Sequence, residues 1–169
     1  MNSAYFNYPT CLPNIPNDLL QSFDEINAQH RLAEGTKKDP RWAENPTWPI
    51  SIHDVRPDLN DWINSVFVPL LGVRVATHYM IIRQSEIHNI HRDAARIMSF
   101  NYIIHAGGDV VTRMFDDDKN LVDSCSIEER RWCQLRVDGF HDIQFNTYTG
   151  PRFSVIVTTP KSIDYIKLD

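Results

Sequence analysis

The stretch Val73-Arg74-Val75-Ala76-Thr77-His78-Tyr79-Met80-Ile81-Ile82 decides the fold class of this 169-residue chain. It is β-branched and aromatic, so it reads as a strand. The residues that follow repeat the pattern. Met98 to Ile104 is a second strand, closed by Ala106-Gly107-Gly108-Asp109. Val110 to Phe115 is a third, closed by Asp116-Asp117-Asp118-Lys119-Asn120. Leu135 to Val137, His141 to Phe145 and Arg152 to Thr158 complete the set. Short strands broken by turn residues at this rate predict a mainly β sandwich or barrel rather than βαβ units. Between the third and fourth strands, Ser126-Ile127-Glu128-Glu129 fits a capping box and predicts a helical turn.

Upstream the pattern is different. Residues 1–16 carry Pro9, Pro13 and Pro16 and read as an irregular arm, with Tyr5, Phe6 and Tyr8 on the domain surface. Asn17 or Asp18 caps a helix after Pro16, with Leu19, Leu20, Phe23 and Ile26 on one face. Residues 33–57 hold Pro40, Trp42, Pro46, Trp48, Pro49 and Pro57, and read as a loop that lays its two tryptophans on the core. Pro57-Asp58 opens a second short helix. Leu59, Trp62, Ile63 and Val66 recur at helical spacing, and Pro69 is expected to stop it.

The length predicts one domain, residues 1–169, with the arm and helices over 1–70 and a β core over 71–160. A hydrophobic content of 42% supports a buried core. A formal net charge of −5 argues against nucleic acid as a partner, because phosphate binding needs a basic footprint. The N-terminus has neither a basic nor an apolar signal region, and no apolar run is long enough to span a membrane. The three cysteines, Cys11, Cys125 and Cys133, are neither a disulfide framework nor a CxxC zinc half-site. A cytoplasmic location follows as the expectation.

Within the β region lies His91-Arg92-Asp93. On extended chain, residues i and i+2 point to the same face, so His91 and Asp93 converge. His141 follows fifty residues later at the start of another strand. Two imidazoles and one carboxylate on one face suit non-haem ferrous iron and leave the opposite face open. Arg152 comes eleven residues after His141, past the turn-like Asn146-Thr147-Tyr148-Thr149-Gly150. That spacing places His141 and Arg152 on antiparallel neighbours at matched depth. Arg152 and Ser154 share one strand face, and Arg offers a planar fork for a carboxylate. The plain alternatives are an exposed loop histidine with a solvated aspartate, and an Arg152 paired across strands with Asp138 or Asp142. His53 reads as a loop residue at a helix entry, His88 as a rim residue, and His78 and His105 as structural or exposed. Arg83, Arg96 and Arg113 either line the barrel mouth or face water.

The order HxD, distal His, Arg-x-Ser resembles the Fe(II)- and 2-oxoglutarate-dependent oxygenases, over roughly residues 73–160. The resemblance implies a double-stranded β-helix core of jelly-roll or cupin type with helices packed outside. It implies His91, Asp93 and His141 as iron ligands, and Arg152 with Ser154 as anchors for the far carboxylate of 2-oxoglutarate. A further polar residue on a middle strand usually contacts the cosubstrate. Asn101, Tyr102, Thr112 and Tyr79 are candidates, with Asn101 the working assignment. The implied activity is a dioxygenase, usually a hydroxylase, that uses molecular oxygen and couples decarboxylation to succinate with C–H oxidation of a small-molecule or peptide substrate. Two other readings stand beside it. One is a cupin-like metal enzyme that does not use 2-oxoglutarate; the other is a non-catalytic β-domain.

Overall fold

The computed structural model describes residues 3–27, 50–82, 90–93 and 96–169. Trp42, Trp48, Arg83 and His88 lie outside the described residues. The architecture follows from the last strand, β9 (Arg152–Thr158), whose residues are buried on both faces up to Ile156 and Val157. Phe153, Val155 and Val157 face one core, and Arg152, Ser154 and Ile156 face the other side, as strand alternation requires. β9 lies between β3 (Ala76–Ile82) and β4 (Met98–His105). The other members of this six-stranded sheet are β1 (Phe6–Asn7), β2 (Ile50–Asp54) and β7 (Trp132–Arg136), in the order β1-β7-β4-β9-β3-β2. A second sheet holds β6 (Leu121–Cys125), β5 (Val110–Phe115) and β8 (Phe140–Phe145), in that order. His91 bridges His141 on the open side of β8 and adds a short fourth member.

Along the chain from β3, successive segments therefore pass between the two sheets: β3, the His91 segment, β4, β5 with β6, β7, β8, β9. This is the jelly-roll path of a double-stranded β-helix. One core lies between the sheets and joins Ile103, Cys133 and Leu135 of the larger sheet to Met114 of the smaller. Ile82, Val110 and Phe145 extend it. The outer face of the larger sheet is covered by helix α1 (Pro57–Leu71). There Phe67 packs edge-on against Phe100 at 4.9 Å and Trp132 at 5.4 Å.

Helix α1 forms because its buried stripe, Leu59, Ile63, Phe67 and Leu71, repeats at helical spacing. Pro57 stands in its first turn, where no N–H is needed. The helix does not stop at Pro69. It runs to Leu71 and ends at Gly72, whose φ of 71° supplies the left-handed C-cap. The proline removes one bond to the Ser65 carbonyl, a small loss beside the burial of Leu71 in the final turn. Buried Asn64 then receives the Val75 N–H at 3.0 Å and locks the exit toward β3.

Other sequence expectations also change. The arm contributes strand β1, with Phe6 buried in the inner core rather than on the surface. Residues 50–54 form β2 against β3, so His53 sits on a strand rather than in a loop. The expected turn of helix at residues 126–129 is absent. Ile127 turns into the core, and Glu129 accepts from the Ala106 N–H at 2.6 Å instead of capping Ser126. Strand β6 was hidden because it is an edge strand with an exposed Leu121 and Val122 and no clean alternation.

Candidate metal centre

The backbone first brings two histidines together. His91 N–H donates to the His141 carbonyl at 3.0 Å, and His141 N–H returns the bond at 2.8 Å. Opposed residues of an antiparallel pair share a face, and the two rings stand 4.4 Å apart between centroids. Asp93, two residues on, is tied to the Val137 carbonyl by its own N–H at 3.2 Å. Arg92 between them points away, onto the Phe140 ring and toward Asp117. As a result one donor atom from each of His91, Asp93 and His141 lies within 4.8 Å of the others.

The chemistry of these donors fits a first-row divalent ion. The Gly139 carbonyl lies 2.9 Å from His141 Nδ1, which places the proton there and leaves Nε2 as the lone-pair donor. Burial holds the His141 ring below its ordinary pKa against the opposing bond to the Gly139 carbonyl, which favours the neutral form that a ligand requires. Arg96 Nε–H donates to Asp93 Oδ2 at 2.6 Å. That leaves Oδ1, 4.0 Å from His91 Nε2, as the oxygen turned toward the pair. Ligands at about 2.0–2.2 Å from one ion stand no more than about 4.4 Å apart. The three side chains would thus close in slightly on a bound ion. His91 is half exposed while His141 is buried, so the group opens to solvent on one side.

Arg152 and Ser154 sit elsewhere in the same interior. His141 and Arg152 are not antiparallel neighbours: β8 pairs with β5, and β9 with β3 and β4. The link over 146–151 is a crossing between sheets, not a hairpin, which turn-like composition alone does not distinguish. Nor are the two at matched depth. His141 opposes Met114 while Phe145 opposes Val110, next to the Gly107-Gly108 turn that touches Arg152. Four residues of strand separate the two levels, about 13 Å at the usual rise. Gly107 and Gly108 are required at this crossing. A Cβ on Gly107 would lie 2.6 Å from the Gly150 carbonyl oxygen and 2.7 Å from Arg152 N, and both glycines have positive φ.

Arg152 is 1% exposed, and its Nε and Nη2 find no hydrogen-bond acceptor among the described residues. Neither acidic partner considered from the sequence reaches it. Asp138 takes Arg136 at 2.8 and 3.1 Å, and Asp142 takes Arg113 at 2.8 and 2.5 Å. Burial pushes the guanidinium down to about 10, while Cys133 and Tyr8 oppose the fall, and it remains a cation at neutral pH. Ser154 Oγ and Thr112 Oγ1 are likewise buried without a partner. All three side chains project between the sheets, as does Asn101, whose Oδ1 accepts from Ser99 Oγ at 3.1 Å. Tyr79 and Tyr102 belong to the other face, under the helix, which removes two of the four middle-strand candidates.

Two participants escaped the sequence reading. Arg96 was visible only as one arginine among several, although it follows Asp93 at i+3. Tyr8 comes from the arm and places its hydroxyl 3.3 Å from Cys125 Sγ. No sequence signal links the two regions.

No family model matches the chain, and no curated protein matches it. Among solved structures, it is similar to a Shewanella oneidensis protein at 18% identity and TM-score 0.40, over 52% of this chain and 56% of that one. It is similar to hydroxypropylphosphonic acid epoxidase from S. wedmorenis at 9% identity and TM-score 0.39, over 50% and 43%. A third is the cupin domain of an XRE-family transcriptional regulator from Enterobacter cloacae, at 10% identity and TM-score 0.41, over 66% and 98%. The chain spans about half the length of the first two. Among the described residues no helix is long and apolar enough to cross a membrane.

Proposed function

We propose that this chain is a non-haem Fe(II)- and 2-oxoglutarate-dependent oxygenase, acting as a hydroxylase on a small-molecule or peptide substrate. The observation that carries the reading is the two-ended interior. Three candidate metal donors gather at one end, and at the other the buried Arg152 Nε and Nη2 and Ser154 Oγ have no hydrogen-bond partner among the described residues. A buried cation without an acceptor is costly. A dicarboxylate lying along the interior would relieve that cost and reach the metal with its other end.

In this reading His91, Asp93 and His141 hold iron from one face, and Arg96 keeps Asp93 oriented. Arg152 and Ser154 anchor the far carboxylate of 2-oxoglutarate, and Asn101 or Thr112 supplies the polar contact between. The apolar residues between the sheets exclude bulk water from the cosubstrate. When bound, ferrous iron and 2-oxoglutarate supply the oxidising chemistry, in which oxygen is consumed in forming succinate and carbon dioxide and in oxidising a substrate C–H bond. A reducing cytoplasm suits ferrous iron.

The test is anaerobic ferrous titration with 2-oxoglutarate, watching for a weak visible charge-transfer band, followed by oxygen-dependent succinate release. Iron held without 2-oxoglutarate binding would leave a cupin-like metal enzyme as the answer. Neither held would leave a non-catalytic β-domain.

A further inference from the structure

We infer that Arg92 is a positioning residue for the metal centre, its guanidinium clamped from outside by Phe140 and Asp117 so that His91 and Asp93 stay in register with His141. The inference rests on the proposed reading of those three residues as metal ligands. Two of the ligands stand on a segment held by few backbone bonds among the described residues. His91 and His141 exchange bonds of 3.0 and 2.8 Å, and the Asp93 N–H reaches the Val137 carbonyl at 3.2 Å. A single bridged pair leaves the orientation of its side chains to whatever packs on the other face. Arg92 packs there, because strand alternation sends it opposite to His91 and Asp93. Its Cζ lies 4.0 Å from the centre of the Phe140 ring, and Nη2 pairs with Asp117. Phe140 immediately precedes His141, so the clamp joins the two ligand-bearing segments directly.

The other jaw of the clamp is the turn between β5 and β6, closed by its own hydrogen bonds. The Asp116 carboxylate accepts from the Asn120 N–H at 2.8 Å and from Asn120 Nδ2 at 3.0 Å. The Asp116 N–H donates to the Asn120 carbonyl at 3.0 Å, and the Lys119 N–H to the Asp116 carbonyl at 3.0 Å. Lys119 takes a left-handed φ of 63° and brings Nζ to 5.6 Å from the same Phe140 ring. The ring thus meets two cations, and Asp117 offsets their charge. Asp117 is 89% exposed, so its ion pair is the weaker part of the clamp and the ring contact the stronger. The sign of the effect separates positioning from charge. Arg92 is a cation between two metal ligands, and by Coulomb repulsion alone it would weaken binding of a divalent cation. Removing a charge would then raise metal affinity, whereas removing a clamp lowers it.

The test titrates the full chain with Co(II) alone, reading affinity and the d–d absorption bands, beside thermal unfolding of the metal-free protein. Arg92→Gln should bind Co(II) about tenfold to a hundredfold more weakly, as loss of a group that orients a ligand does. Its d–d bands should change while the metal-free Tm stays close to the parent's. Arg92→Lys keeps a cation for the ring and should recover most of the affinity and the parent bands. Phe140→Leu should lose affinity as Arg92→Gln does, and the double variant should be no weaker than the weaker single. Asp117→Asn should lose less. The inference is overturned if Arg92→Gln binds Co(II) as tightly as the parent or more tightly, since charge would then be its influence on the site. It is also overturned if affinity and metal-free Tm fall together with the bands unchanged, which would make Arg92 a contact of the fold. Additive losses in the double variant would remove Phe140 from the clamp and overturn it as well. A parent that binds no Co(II) would sink the metal centre and this inference together. A parent that binds Co(II) but not 2-oxoglutarate would count against the oxygenase reading alone and leave the Arg92 result legible.

Discussion

Replacing Arg152 by Met tests the interior site through stability rather than turnover. The side chain is 1% exposed, and two of its nitrogens are buried without acceptors among the described residues. Each unsatisfied buried polar group costs about 1–3 kcal/mol. Exchanging a poorly satisfied buried charge for an apolar chain of similar shape commonly stabilises by about 1–4 kcal/mol. Arg152→Met should therefore be more stable than the parent when no dicarboxylate is present. For a chain of this size, 1 kcal/mol moves Tm by about 2–4 °C. The ligand reverses the comparison. At a hundredfold excess over Kd, 2-oxoglutarate should stabilise the parent by about 2.7 kcal/mol and the variant not at all. The assay is urea and thermal unfolding under anaerobic conditions, with ferrous iron, with and without 2-oxoglutarate. A ligand-free variant less stable than the parent by more than about 2 kcal/mol would refute the reasoning, because Arg152 would then be holding the fold together. Equal stabilisation of both proteins by 2-oxoglutarate would refute the anchor.

Asp93→Ala removes the single carboxylate of the donor group and should lower ferrous affinity by more than about a hundredfold, beyond what loss of an outer partner does; anaerobic titration measures it. Gly107→Ala places a Cβ against the Gly150 carbonyl and the Arg152 backbone at a φ of +80°. It should destabilise by about 2 kcal/mol or more and weaken 2-oxoglutarate binding with it, read by denaturation and by the charge-transfer band. Phe67→Ala should cost about 3–5 kcal/mol by opening the outer core, while iron affinity of the folded fraction stays level. His78 tests pH linkage. Burial first and Arg96 second hold its folded pKa below the ordinary 6.5, against a weaker pull from Asp54. The unfolded chain therefore takes up this proton first as pH falls. The contribution of neutral His78 is full above about pH 6.5 and is lost as pH falls below it. Stability curves of His78→Gln should be flatter in that window, and an unchanged slope would count against the assignment.

The chain alone determined several features. The strands from Met98 to Phe115 and from Arg152 to Thr158 were legible because alternation and turn residues are local signals. The helix from Pro57 was legible for the same reason, apart from its last turn. The HxD pair could be placed on one face from its spacing, and Arg152 with Ser154 likewise. The tertiary structure decided the rest. Composition over 146–151 says that the chain turns but not whether it stays in its sheet, so only the fold separated His141 from Arg152. Tyr8 is far in sequence from Cys125, and nothing local couples them. That Arg152 has no acceptor for Nε and Nη2 among the described residues was invisible as well, since Asp142 and Asp138 both lie close in the chain, ten and fourteen residues before it. Which carboxylate meets which guanidinium depends on the sheet face each occupies and on what its neighbours have already satisfied. Those are properties of packing, and packing is set by the whole chain at once.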